Sequence, residues 1–224
     1  MDRMTAGDVR SMLIAVADRI ITSERLLTKA DRDIGDGDHG LGMTRGFTAV
    51  RELLLATTFD DVRGMLSGVG DTLITSMGGA SGVVFGLLFR AGAQGLPPSD
   101  VLTVPIAADH FERSIREITR RGGATVGDKT MLDALHPAVE SLRRSSEAGD
   151  TLAYAFRRAA IAAGEGADRS KDLIARFGKA MTLGERSLGF PDAGAISTTI
   201  IFTAMAEWTA ANNEHPTTSA QGEV

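Results

Sequence analysis

The stretch "ADRDIGDGDHGLGMTRG", residues 30–46, holds four aspartates, one histidine and five glycines. Its centre, "GDGDHG", residues 35–40, matches G-x-G-x-x-G, the dinucleotide-binding fingerprint. The fold turns on whether that match is real. The fingerprint requires a preceding strand, and "SERLLTKADRDI", residues 23–34, is not one. Bare carboxylates among the glycines would also repel a pyrophosphate. An EF-hand fails as well: counted from Asp31 or Asp33, the twelfth position is Gly42 or Thr44, where a bidentate Glu belongs.

Without that strand, the rest of the chain reads as helix. Residues 6–27 place Val9, Leu13, Val16, Ile20 and Ile21 at helical spacing. Further helices are expected over 43–55, 60–77, 79–93, 99–121, 129–147, 150–167 and 195–211. The segment "GASGVVFGLLFRAGA", residues 79–93, is apolar almost all round and should be the most buried. Ser99 is a candidate N-cap, and Pro105 marks a start or kink. No alternating apolar–polar run with hairpin chemistry occurs. The expectation is one all-α domain over residues 1–211, with a polar, disordered tail over 212–224. Residues 176–195 are the exception, a long Gly-rich charged loop of the kind that is more often functional than accidental.

Composition narrows the function. The chain has 224 residues, 43% hydrophobic and 24% charged, with net charge -5. That gives no basic patch for a nucleic-acid partner. There is no cysteine, hence no disulfide framework or thiolate chemistry. The first ten residues lack an apolar h-region, and the longest apolar run, "GVVFGLLF", is too short to span a bilayer. A cytoplasmic protein with no membrane partner is expected.

Three stretches carry candidate chemistry. Asp31, Asp36 and Asp38 can converge if the chain folds back tightly, and Gly35 and Gly37 supply that freedom. Such hard oxygen ligands suit Mg²⁺; the competing reading is a solvated acidic turn. A helix starting near His39 would add backbone N–H groups and a positive dipole end, a seat for phosphate. "SMGGASG", residues 76–82, puts glycines before a helix whose first turn holds Ala80 and Ser81. Alone it reads as close helix packing, and beside a metal–phosphate site as a second set of phosphate donors. "RRGGATVGDKTMLDALHP", residues 120–137, resembles a Walker A loop, but Asp128 is inserted before Lys129 and no strand precedes it. Its glycines and Met131 could face a flat ligand, or Asp128 could simply be an N-cap; the two readings stand equal. His39 reads as a phosphate contact, His110 and His136 as structural, and His215 lies in the tail.

The blocks "DRDIGDGDHGLGMTRGF", "GGASG", "RGGATVGDKTMLDALHPAVESL" and "GKAMTLGERSLGFPDAGA" occur in one order over residues 31–195. Together they resemble the nucleotide-binding L subunit of dihydroxyacetone kinases. The resemblance implies an antiparallel eight-helix barrel or bundle with ADP or ATP at one end. It implies that Asp31, Asp36 and Asp38 hold two Mg²⁺ ions, catalytic through the bridged phosphates. Asp33 falls where the family has a glutamate and is not carried over. By the same matching, His39, Gly40, Leu41, Gly42, Ala80, Ser81, Gly122, Met131, Lys179, Asp192 and Gly194 line the nucleotide pocket. Three positions depart from the pattern. Gly42 replaces an asparagine, Lys179 an arginine, and Ala193 the proline of an Asp-Pro-Gly turn. Lys179 and Arg186 are candidates for extra positive charge on the loop. The implied activity is phosphoryl transfer to a short ketose held on a partner subunit. The donor is a phosphohistidine protein if the chain is of the phosphotransferase-system form, which a stand-alone subunit favours. A homodimer also fits. The alternatives are an ATP-dependent subunit for another ketose such as a tetrulose, and a non-catalytic nucleotide-sensing module.

Overall fold

The computed structural model describes residues 1–212; the expected polar tail beyond, with His215, lies outside the described residues. Nine α-helices are described: α1 (Ala6–Thr22), α2 (Glu24–Ile34), α3 (His39–Ala56), α4 (Val62–Met77), α5 (Gly79–Gln94), α6 (Val104–Gly122), α7 (Leu132–Ala148), α8 (Leu152–Arg169) and α9 (Ala193–Ala211). A 3-10 segment, Lys179–Ser187, lies in the loop before α9. Eight of the helices close a ring. From α3 to α9 each helix packs on the next, and α1 packs on both α3 and α9. Helix α2 stands outside the ring, against α3, α9 and the 3-10 segment. This is the all-α eight-helix barrel that the resemblance implied.

The barrel's interior is filled by the apolar faces of its helices. Helix α1 buries Val9, Met12, Leu13, Val16, Ala17 and Ile20, the i, i+3, i+4 positions of one stripe. Phe47 meets Phe89 edge-on at 6.4 Å, and Phe111 meets Phe202 at 5.0 Å. Helices α4 and α5 approach closely at Gly70, where a Cβ would fall 2.5 Å from the Gly86 carbonyl oxygen and the Arg90 nitrogen. Helix α5 buries Phe85 to Phe89 and Ala91 to Ala93, as its composition predicted, although Val83 faces out.

Four sequence expectations need correction. The periodic run over 6–27 is two helices, broken at Ser23, where neither Gly nor Pro marks the break. The helix expected from residue 99 starts at Val104, capped by Thr103, with Pro105 in its first turn. Ser99 instead bonds Val101 on both sides. The helix expected from Lys129 starts at Leu132, so Asp128 is not its N-cap. Lastly, two three-residue strands, β1 (Arg3–Thr5) and β2 (Val101–Thr103), pair antiparallel with Met4 opposite Leu102. No hairpin turn joins segments so distant in the chain, and none could signal them. Among the described residues no helix is long and apolar enough to cross a membrane.

Candidate functional site

Helices α3, α5, α7 and α9 all begin at one end of the barrel, and the acidic loop between α2 and α3 lies there with them. Asp31 sits in the last turn of α2, while Asp36 and Asp38 follow on the loop. One oxygen from each carboxylate lies within 4.8 Å of the other two. The convergence depends on glycine. A Cβ at Gly35 would fall 2.9 Å from the Asp31 carbonyl oxygen and into its carboxylate. Gly37 has φ +79°, in the left-handed region that glycine enters without penalty. Asp33, exposed on α2, is not part of the cluster.

Three like charges this close need a counter-charge. Lys179, from the 3-10 segment, supplies one by pairing its ammonium with Asp36. That hydrogen bond, above all, holds the Asp36 carboxyl below its usual range. Arg186 is exposed on the same segment and has no ion-pair partner among the described residues.

His39 opens α3. Its backbone N–H donates to Asp31 Oδ2 at 3.2 Å, which ties the helix start to the carboxylate cluster. Its ring is buried beside Phe85, with Nε2 2.8 Å from Ser197 Oγ and Nδ1 3.4 Å from Ser81 Oγ. Burial pushes the imidazole pKa down, and Asp31 and Asp38 pull it partly back. The ring is a hydrogen-bonding hub between the starts of α3, α5 and α9.

The other candidates fall into two groups. Gly40 is buried, and a Cβ there would lie 2.7 Å from the Thr28 nitrogen, so its glycine serves helix contact. Met131 is also buried, at the start of α7 and against Gly194: a Cβ at Gly194 would sit 3.4 Å from its own. Asp192 caps α9, accepting from the Ala195 N–H at 2.8 Å. Burial pushes its carboxyl up to about 7. At the rim lie Leu41, Ala80 and Gly122, all exposed, and Gly42, with open space where a side chain would go. Of the other histidines, His110 is fully buried as expected, while His136 is half-exposed 3.6 Å from Glu140.

The loop 122–130 is built differently from a simple cap. Asp128 Oδ2 accepts from the Thr125 N–H at 2.7 Å. Asp133, inside α7, reaches back to the N–H groups of Gly127 and Thr130 at 2.6 and 2.7 Å. Sequence reading missed Asp133 and Ser197. The Asp133 contacts lie three and six residues away and had a local signal; Ser197 meets His39 across the fold and had none.

The arrangement has the makings of an anion and cation site together. The starts of α3 and α5 have no side-chain cap at the N-cap position. Beyond the His39 N–H, which meets Asp31, their first N–H groups therefore lack the usual acceptor. At α7, by contrast, Thr130 and Met131 accept from the N–H groups of Leu132, Asp133 and Ala134. Three carboxylates of hard oxygen stand beside them.

Comparison with known proteins places the chain in a family. Residues 33–207 match the model of the DAK2 domain. The chain is 40% identical to the ADP-binding L subunit of the PEP-dependent dihydroxyacetone kinase of Escherichia coli K12, over 87% of this chain and 92% of that one. It is 39% identical to the D-erythrulose kinase of Mycolicibacterium smegmatis, over 82% of this chain but 32% of that longer protein. A crystal structure of the dihydroxyacetone kinase of C. freundii with AMP-PNP and Mg²⁺ superposes with a TM-score of 0.68 at 26% identity, over 91% of this chain and 34% of that one. With a family model spanning most of its length and a relative matched nearly end to end, the chain belongs to the DAK2-domain family of dihydroxyacetone kinase L subunits.

Proposed function

We propose that this chain is the nucleotide-holding phosphotransferase subunit of a short-ketose kinase, with dihydroxyacetone as the ketose and ADP or ATP bound at the acidic end of the barrel. The single observation that carries the reading is the meeting of three carboxylates with the uncapped starts of α3 and α5. Carboxylates alone would repel a phosphate, and helix starts alone would need no carboxylates. A phosphate carrying a divalent cation uses both.

Asp31, Asp36 and Asp38 would hold Mg²⁺, and their oxygen-only donor set and close approach fit it. When bound, the cation offsets negative charge on the phosphoryl oxygens. The chain's own groups do the rest. The uncapped N–H groups of α3 and α5 donate to phosphate oxygens. The His39 ring fixes Ser81 and Ser197 at the same helix starts. Lys179 brings a positive charge from its exposed segment. Gly122, Met131, Asp192 and Gly194 would bound the nucleoside. No residue of this chain is needed to hold the ketose, which fits a partner subunit carrying it, with a phosphohistidine protein as donor.

A second reading has one observation in its favour. The D-erythrulose kinase of M. smegmatis is as similar to this chain as the E. coli subunit is. The ketose would then be a tetrulose, and ATP would exchange at each turnover.

The test is to purify the protein without added nucleotide, gel-filter it in Mg²⁺, release its ligands with acid and resolve them beside ADP and ATP. Near-stoichiometric ADP, freed early by a chelator, is expected for the resident-cofactor form. An empty protein that binds added Mg-ATP points to the exchanging form. A protein that binds neither overturns the proposal.

A further inference from the structure

Lys129 takes no part in the site described above, yet it is the most constrained charged side chain of the fold. It is 1% exposed. Its backbone has φ +60°, and no other non-glycine residue has positive φ among the described residues. Its Nζ donates to three backbone carbonyls: Ser170 at 2.7 Å, Leu173 at 3.1 Å and Phe190 at 2.6 Å. An ammonium has three donors, and here each has an acceptor. The three carbonyls lie just after α8, in the loop that follows, and two residues before Asp192.

The surroundings extend the same tie. The Asp128 carbonyl accepts from the Arg176 N–H at 3.1 Å. Ser170 Oγ accepts from the Asp192 N–H at 2.9 Å and donates to Ala167 at 2.6 Å. Apolar burial here is confined to Ala175 and the partly buried Phe177, while Ile174, Met181, Leu188 and Phe190 are all exposed. Both Lys179 and Asp192 are carried on this loop. A buried ammonium costs desolvation that a methionine of similar shape would not, so stability alone does not explain its presence. Burial pushes its pKa down, and the carboxylates of Asp192, Asp133 and Asp172 pull it up.

We propose that Lys129 is a positioning residue: its ammonium fixes the loop over residues 173–192 so that Lys179 and Asp192 face the acidic end of the barrel. The link to nucleotide rests on the function proposed above, whereas the ordering of the loop does not.

The test uses Lys129→Met and Lys129→Cys in the full chain. The protein has no cysteine, so aminoethylation of the unfolded Lys129→Cys variant followed by refolding restores an amine at that one position. Amide hydrogen exchange over 173–192 is measured without nucleotide, and Mg-ADP release is measured separately. The Met variant should keep its helical circular dichroism while those amides exchange about 10- to 100-fold faster, the range set by leaving buried acceptors unpaired. Mg-ADP should leave faster by a similar factor, and aminoethylation should restore both. Unchanged loop exchange, no restoration by the amine, or loss of the helical signal overturns the positioning role. Faster exchange with unchanged release overturns its link to the nucleotide. A wild-type protein that holds no Mg-nucleotide sinks the functional reading instead, while the exchange measurement still decides the role of Lys129.

Discussion

The two ends of the barrel treat the same physical problem in opposite ways. Every helix start leaves backbone N–H groups without intrahelical acceptors. At the end built around β1 and β2, Thr5, Asp61, Thr103 and Thr151 each accept one of those N–H groups for α1, α4, α6 and α8. Thr5 goes further and forms a reciprocal capping box with Asp8. At the other end the cap positions of α3 and α5 are Asp38 and Gly78, neither of which accepts a helix N–H through a side chain, while Thr130 and Asp192 accept for α7 and α9. One end is finished for stability. The other leaves donors of α3 and α5 without side-chain acceptors beside three carboxylates, which is what a binding surface requires. Stability has been conceded at the place where a ligand would supply the missing acceptors.

The sharpest way to break this contrast is to damage each end in turn. Asp36→Ala should weaken Mg-nucleotide binding by about 100-fold or more, since losing even an outer-shell metal partner costs 10- to 100-fold. Its helical circular dichroism should stay unchanged. Equilibrium dialysis with Mg-ADP checks it, and normal retention by the variant would refute the ligand assignment.

Between the two ends lies a different kind of buried polar group. His110, in the second turn of α6, is 2% exposed, and its ring nitrogens lack hydrogen-bond partners among the described residues. Burial lowers its pKa from 6.5 to about 4. The unfolded chain therefore gains a proton first as pH falls below 6.5, and stability contributed above that pH is lost on the way down to about 4. The loss should reach about 3 kcal/mol. Urea unfolding from pH 7 to 4 should show the wild type losing that stability relative to His110→Met, since Asp192, held up at about 7 in the fold, adds the same opposite slope to both proteins.

Damage at the finished end should be smaller and purely structural. Asp61→Ala removes the acceptor for the Gly64 N–H and should cost about 1 kcal/mol, with Mg-nucleotide binding intact. Calorimetry and dialysis on the same sample test both halves. A loss of binding there would mean that the two ends are coupled. Smallest of all, Gly42→Ala adds a Cβ that meets nothing within 4 Å and replaces a poor helix former in the first turn of α3. A gain of about 0.5–1 kcal/mol in urea unfolding is expected; a loss would show that this helix start is held by something other than its own backbone.

Much of this was written in the chain itself. The 3.6-residue spacing of apolar positions fixed the helical class, because a helix buries one stripe whatever it packs against. The order Asp31, Gly35, Asp36, Gly37, Asp38 announced the carboxylate cluster, because charge and backbone freedom are local properties of a loop. The closure of eight helices into a ring was legible only through resemblance. Tertiary structure alone decided the break at Ser23, the pairing of β1 with β2, the contact of His39 with Ser197 and the burial of Lys129. Each of these depends on atoms brought together across long loops, and no local pattern records which distant carbonyl or hydroxyl will complete a hydrogen bond. The lysine shows it best: in the sequence it follows an inserted aspartate that spoils a phosphate-loop match, whereas in the fold its three N–H groups meet three carbonyls from two distant stretches, at Ser170 and Leu173 and at Phe190.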